Sequence, residues 1–334
     1  MMISSNYFKD KNILVAGASG FVGTHLVKKL SDLGANVRGS YLNRRPSDYL
    51  VNVSYIKSDF TNYDDCVEAT KDIDYVFMAA ANTSGAAVME KTPLAHLTPN
   101  VVMNSQILAA CYENGVSKFC FISSNTVYPV TDFAVKEDDV NYEFFHKYFV
   151  VGWMKLFSEK MTEMYANHIK EPMSTLVVRP GNLYGPHDKF TWKESKVIAA
   201  LIRKAIERHD PFPVWGDGED LKDFLYIDDF VSGLLIAFET IKDFQSVNIA
   251  SSVPVTIKEV LSEILKASNY EKAQIEFDAS MPTMLPKRLI NNDKIRSLSN
   301  WSPKVSLDEG LQKTIDWYKE FYSNVTPEDA YDNQ

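Results

Sequence analysis

The first half of the chain predicts an α/β fold, a doubly wound parallel sheet, and two observations carry that reading. Short apolar runs alternate with amphipathic segments as far as about residue 175, the pattern of strands joined by helical crossovers. The first of the runs, "NILVAG", is short and apolar, as a strand covered on both faces is. Beyond that point the alternation loosens, and a smaller, mixed α/β region is expected on the C-terminal side.

"NILVAG", Asn12 to Gly17, is an apolar run that closes on glycine and predicts the first strand. "FVGTHLVKKLSDLGA" follows with apolar residues at helical spacing and Gly34 as its stop. "NVRGSYL" predicts a second strand, and "VSYIKSDF", "DYVFMAAA" and "KFCFISS" predict further ones with helical segments between them. "STLVVRPGNLYGP" reads as strand then loop, and "SKVIAALIRKAIERH" as a helix. "PFPVWGDGEDLKDFLYIDD" is rich in Gly, Pro and Asp and reads as a loop. "VTIKEVLSEILKASN" and "LDEGLQKTIDWYKEFY" predict amphipathic helices, and the polar tail from Asn324 is expected to fray.

The whole chain sets bounds. Its 334 residues suit one large or two intimate domains. A formal charge of −9 is not the footprint of a nucleic-acid binder, and no nucleic-acid partner is expected. Cys66, Cys111 and Cys120 lie far apart without metal-ligand spacing, so buried free thiols and no metal site are expected. The N-terminus has no apolar signal region, and no apolar run approaches the ~20 residues of a membrane span. No membrane partner is expected, and a cytoplasmic location follows by default.

"GASGFVG" sets Gly17, Gly20 and Gly23 between a predicted strand and a predicted helix. Glycines there let the backbone turn tightly and approach a pyrophosphate, while the helix start supplies amides and a positive dipole end. The context predicts a dinucleotide-binding, Rossmann-type sheet. An acid near the end of the second strand would bond the ribose 2′-hydroxyl of NAD. Tyr41 occupies that place, no Asp or Glu follows until Asp48, and Arg44 and Arg45 stand in the following loop. Guanidinium groups suit a phosphate, so NADP is favoured over NAD, the alternative being two solvated loop arginines.

The Gly-x-x-Gly-x-x-Gly spacing resembles that of the extended short-chain dehydrogenase/reductase family, the NAD-dependent epimerases and dehydratases. Further motifs extend the resemblance over nearly the whole chain: "KSDF", "DYVFMAAA", "FISSNTVYP", "RPGNLYGP", "VWGDGEDLKDFLYIDD" and "PKRLINNDKIRSLSNWSPKVSLDEGL". The resemblance implies a dinucleotide-binding domain over 1–175, a nucleotide-sugar-binding region over 176–323 that packs intimately with some chain crossing back, and a flexible tail over 324–334. It implies cofactor contacts from Gly17, Ser19, Gly20, Phe21, Val22, Gly23, Tyr41, Arg44, Arg45, Asp59 and Phe60 at the adenine, Ala79, Ala80, Ala81 and Lys155.

In that family a tyrosine four residues before a lysine moves the proton, the lysine lowers its pKa, and a serine bonds the substrate oxygen. Ser124 aligns with the serine and Lys155, in "GWMKLFSE", with the lysine, but the tyrosine position is Val151. Tyr148 lies seven residues before Lys155 and is a candidate substitute, with packing at the helix start as the other reading. The substrate half resembles the GDP-fucose synthases and the GDP-mannose 3,5-epimerases in particular. Their catalytic cysteine position is Thr126 here, and their second acid/base position is Lys196, which could instead hold a diphosphate. Substrate contacts are implied for Ser124, Asn125, Thr126, Asn182, Lys196, Lys204, Trp215, Lys222 and Arg288. His187 reads as a loop histidine, and Asp228 and Asp229 as a helix cap.

The expected activity is NAD(P)-dependent nucleotide-sugar oxidoreductase or epimerase chemistry on a GDP-sugar, by hydride transfer at a sugar carbon, C4 first. The alternative is a pseudoenzyme that binds dinucleotide and nucleotide sugar without turnover. The resemblance also implies a homodimer through a four-helix interface formed by "NVVMNSQILAACYENG" and the Lys155 helix.

Overall fold

The computed structural model describes residues 3–83, 92, 94–281 and 283–332. Its strands, in chain order, are β1 (Asn12–Ala16), β2 (Asn36–Tyr41), β3 (Ser54–Lys57), β4 (Tyr75–Met78), β5 (Lys118–Ile122), β6 (Ser174–Pro180), β7 (Asn182–Tyr184), β8 (Phe212–Trp215), β9 (Leu221–Tyr226), β10 (Gln245–Ile249), β11 (Pro254–Thr256) and β12 (Ile275–Asp278). Seven of them form one sheet in the order β10-β6-β5-β4-β1-β2-β3, every pair parallel. The order turns back on itself at β1 and β4, so a crevice opens beyond their carboxyl ends.

The apolar runs explain this sheet. Successive side chains of a strand point to opposite faces. Ile13 and Val15 of β1 enter one core together with Phe77, Cys120 and Leu176, while Leu14 and Ala16 enter a second with Val76, Phe119 and Val177. Both faces are therefore dry. The three cysteines are buried and free, and burial pushes the Cys66 thiol up to about 12.

On the C-terminal side stand two small sheets, β11-β9-β7 and β12-β8, with the helix Val197–Ile206 and the helix Ile257–Ala267. The segment "PFPVWGDGEDLKDFLYIDD", expected as loop, contains β8, β9 and the start of the helix Ile227–Thr240. Its glycines mark the turn between strands: Gly216 and Gly218 both have positive φ, which glycine adopts without a steric penalty. The expected boundary at residue 175 falls inside β6, and β10 returns to the main sheet beside it. The tail, expected to fray, holds a helix at Pro327–Asp332. Glu328 accepts from Arg203 Nη1 at 2.6 Å and from the Trp192 amide at 3.1 Å, while residues 333 and 334 lie outside the described part. No helix among the described residues is long and apolar enough to cross a membrane.

Candidate functional site

β1 leads into a turn at Gly17, where φ is +82° and an added Cβ would lie 2.7 Å from Ala80 Cα. Only glycine lets this turn close on the end of β4. The Gly17 amide donates to Ser40 Oγ at 3.1 Å, which fixes the loop against β2. At Gly23 a Cβ would fall 2.0 Å from the Gly17 carbonyl oxygen. Gly23 thus allows the helix Phe21–Asp32 to lie on the loop, and it does not face the crevice. Gly20 caps that helix without a side-chain bond, so the first-turn amides, which lack intrahelical acceptors, are available to an anion.

A cavity of about 470 Å³ opens above the loop. It brings together Gly17, Ser19, Gly20, Phe21, Tyr41, Arg44, Asp59, Phe60, Ala79, Ala80 and Ala81. Val22, Gly23, Arg45 and Lys155 are not part of its wall. Val22 packs on the core and Arg45 is exposed. Asp59 accepts from the Thr61 amide and hydroxyl at 2.9 and 2.7 Å, and these bonds hold its carboxyl below the usual range. The opposite wall comes from residues that local motifs do not reveal: His187, Asp188, Lys189, Glu194, Trp317, Phe321, Tyr322 and Ala330. The only sequence signal for the aromatic part is "WYKEFY", which reads equally as a helix face. His187 lies in the turn after β7, where its Nε2 is 3.2 Å from Asp48 Oδ2 and its ring packs 4.7 Å from Trp317. A glycine cradle that side chains would fill, helix amides and a long partly apolar trough fit a dinucleotide.

Beside the trough, β5 ends at Ile122 and delivers Ser124. Ser124 Oγ accepts from the Thr126 amide at 3.2 Å and lies 3.0 Å from its hydroxyl. Asn125 Nδ2 donates to the Pro180 carbonyl at 3.0 Å. The helix Phe149–Asn167 carries Lys155, whose Nζ donates to the Ile122 carbonyl at 2.9 Å and lies 4.8 Å from the Phe121 ring centre. Its start is fixed by Gly152, where a Cβ would come 2.5 Å from the Phe144 ring. One turn beyond Lys155, Glu159 is held by Arg179 through bonds of 3.0 and 2.6 Å and also accepts from the Ser123 hydroxyl. With that carboxylate already engaged, burial dominates and pushes the Lys155 ammonium down to about 8.

Tyr148 is not on the helix but in the short 3₁₀ turn before it, His146–Tyr148. Burial raises its phenol, with Arg288 pulling the other way. Lys196 is exposed at the cap of the helix Val197–Ile206, 5.9 Å from the Phe21 ring centre. Asn182 donates to the Asp223 carbonyl at 3.0 Å. Lys204 holds the Pro213 carbonyl at 2.7 Å, and Lys222 holds Asp220 at 3.1 Å and the Leu285 carbonyl. Burial lowers both ammonium groups. Arg288 is buried, donates to the Pro129 and Tyr128 carbonyls at 2.8 and 3.1 Å, and leaves Nε without an acceptor among the described residues. Trp215 stands exposed on β8. Asp228 and Asp229 are not caps: Tyr226 precedes the helix, Asp228 bonds His25 at 3.0 Å, and Asp229 accepts from the Lys304 and Val305 amides.

The family model described as NAD dependent epimerase/dehydratase family matches residues 13–250. "Putative GDP-L-fucose synthase 2" of Arabidopsis thaliana is 30% identical over 324 residues, 93% of each chain. "GDP-mannose 3,5-epimerase 1" of Oryza sativa subsp. indica is 30% identical over 318 residues, 92% of this chain and 82% of its own length. The fold matches the crystal structure of UDP-glucose 4-epimerase with UDP-glucose from Thermotoga maritima, with a TM-score of 0.83 at 24% identity over 93% of this chain and 99% of that one.

Proposed function

The chain belongs to the NAD dependent epimerase/dehydratase family, and from that premise we propose that it is an oxidoreductase or epimerase of a nucleotide sugar. A GDP-sugar is the favoured substrate, with chemistry at a sugar carbon, C4 first. The observation that carries the proposal is the pairing of the glycine cradle with Ser124 and Lys155 at the neighbouring end of β5. When bound, the nicotinamide accepts or returns a hydride. The cradle amides would hold its pyrophosphate, Asp59 and Phe60 the adenine side, and Arg44 the ribose side, where a cation favours NADP. Ser124 would hold the sugar oxygen.

The proton remains to be moved by a group other than Val151, which has none to give. Tyr148, Lys196 and Ser124 stay in the set, and Lys155 joins it. Normally a buried lysine of this family would act on a phenol; here an ammonium near 8 is itself suited to exchange a proton close to neutral pH. Asn125, Thr126, Asn182, Lys204, Trp215, Lys222 and Arg288 form the proposed substrate side, with Arg288 Nε as a buried donor still open to an acceptor.

The relatives are named as a synthase and an epimerase, and nothing in them favours the reading of a binder without turnover. Cofactor absorbance followed with a panel of GDP-, UDP- and dTDP-sugars tests the proposal, product epimers being resolved by chromatography. Turnover is expected with a GDP-sugar. Binding of dinucleotide and sugar with no conversion of any member would leave the pseudoenzyme reading in its place.

A further inference from the structure

We infer that Glu194 sets cofactor selectivity by restraining Arg44 from across the trough. The inference rests on the reading of that trough as a nicotinamide dinucleotide site. β2 ends at Tyr41 without the carboxylate that would recognise a ribose 2′-hydroxyl, and the first acid after it, Asp48, pairs with His187. A carboxylate nevertheless reaches this part of the wall. Glu194, in the turn before the helix Val197–Ile206, places Oε2 3.9 Å from Arg44 Nη2 and Oε1 3.0 Å from Lys189 Nζ. All three residues line the cavity wall or meet there. The Glu194 side chain is only 18% exposed and that of Arg44 35%, so the pair is screened less than a surface pair.

The consequence follows from charge. A 2′-phosphate carries close to two negative charges and would seek Arg44 through charge-assisted bonds. Glu194 competes for that guanidinium and so weakens its hold on the phosphate, whereas a 2′-hydroxyl, which does not depend on a guanidinium, meets no such opposition. The strand's missing acid is thus supplied from the substrate-side half of the chain. Arg44 favours NADP, Glu194 opposes it, and the native preference is the difference of the two.

The test is titration of the whole protein with NADPH and with NADH by their fluorescence. Glu194→Gln keeps bulk and removes charge; the NADPH:NADH affinity ratio should rise about tenfold, a difference of about 1.4 kcal/mol. Glu194→Ala should move it in the same direction. In an Arg44→Gln background the Glu194→Gln effect should shrink, because the Arg44–Glu194 pair carries it and only what passes through Lys189 is left. An unchanged ratio in both Glu194 variants, or an equal effect with and without Arg44, overturns the inference while the dinucleotide reading stands. Failure of the native chain to bind either cofactor overturns that reading, and the inference with it.

Discussion

Val151 is half-buried one turn before Lys155, on a helix whose start is pinned by Phe144 against Gly152. A side chain placed there reaches the same face as Lys155. Val151→Tyr should therefore leave dinucleotide affinity within about twofold, since the glycine cradle is untouched, and change turnover by ten- to a hundredfold or more, the usual scale for a positioned acid or base. A rise shows that the native site works without a full proton path; a fall shows a site rebuilt around another carrier that the ring obstructs. Unchanged turnover would remove Val151 from the argument. If Lys155 is that carrier, its ammonium is the working form for protonating the sugar oxygen. Burial has lowered its pKa, so the protonated fraction is lost as pH rises through about 8, and the native rate in that direction should fall across the same interval. Lys155→Met should remove both the rate and this limb, and a limb at the same pH with Met in place would assign it elsewhere.

Individual elements differ in how far local sequence specifies them. β1, β4, β5 and β6 are legible because each is a mainly apolar run, β2 and β3 by their place in the alternation, and the glycine cradle because its neighbours fix its context. β8 and β9 are not, since their pairing partners β12, β11 and β7 lie far along the chain and their own composition is that of turns. Strand formation of this kind depends on tertiary partners more than on propensity. The far wall of the trough escaped for the same reason: Glu194, Trp317 and Ala330 meet Arg44 and Phe21 only after folding. The helix Pro327–Asp332 is the plainest case. Its polar sequence predicts fraying, yet Glu328 sits on Arg203, which also stacks 4.0 Å from the Trp192 ring centre and pulls the Glu328 carboxyl down to about 2. The contact is present above the ordinary glutamate pKa near ~4.3 and is lost only as pH falls through about 2. Glu328→Gln at neutral pH should speed proteolytic cleavage near residues 323–327 several-fold while the melting temperature of the main fold moves by less than about 2 °C, as a local opening does. Cleavage at the native rate would deny Glu328 that role.

At the scale of the whole molecule, the helix Phe149–Asn167 presents two apolar faces. One buries Met154, Leu156 and Thr162 inward, and Asn104 of the helix Leu94–Glu113 is tied to it by a buried bond to Ser158 at 2.9 Å. The other exposes Phe149, Trp153, Phe157 and Met164, with Tyr142 stacked 6.0 Å from Trp153. Phe149, Trp153 and Phe157 recur every four residues, so they line one stripe. Large aromatic side chains aligned on one exposed face mark an interaction surface. A second copy is the expected occupant, since a twofold pairing of this helix with its own image covers both stripes at once and brings four helices together. Sedimentation at micromolar concentration should report a homodimer. Phe157→Lys, which plants a charge in the middle of the stripe and touches neither Lys155 nor the cradle, should raise the dimer dissociation constant more than about a hundredfold, as loss of a central aromatic anchor does. A native monomer under those conditions, or a Phe157→Lys dimer of undiminished affinity, would place the contact on another face. Because the same helix carries Lys155, the monomeric variant also tests whether the site depends on assembly. Retained cofactor affinity with a lower turnover would mean that the partner steadies the Lys155 turn, whereas full turnover would mean that each copy is complete alone.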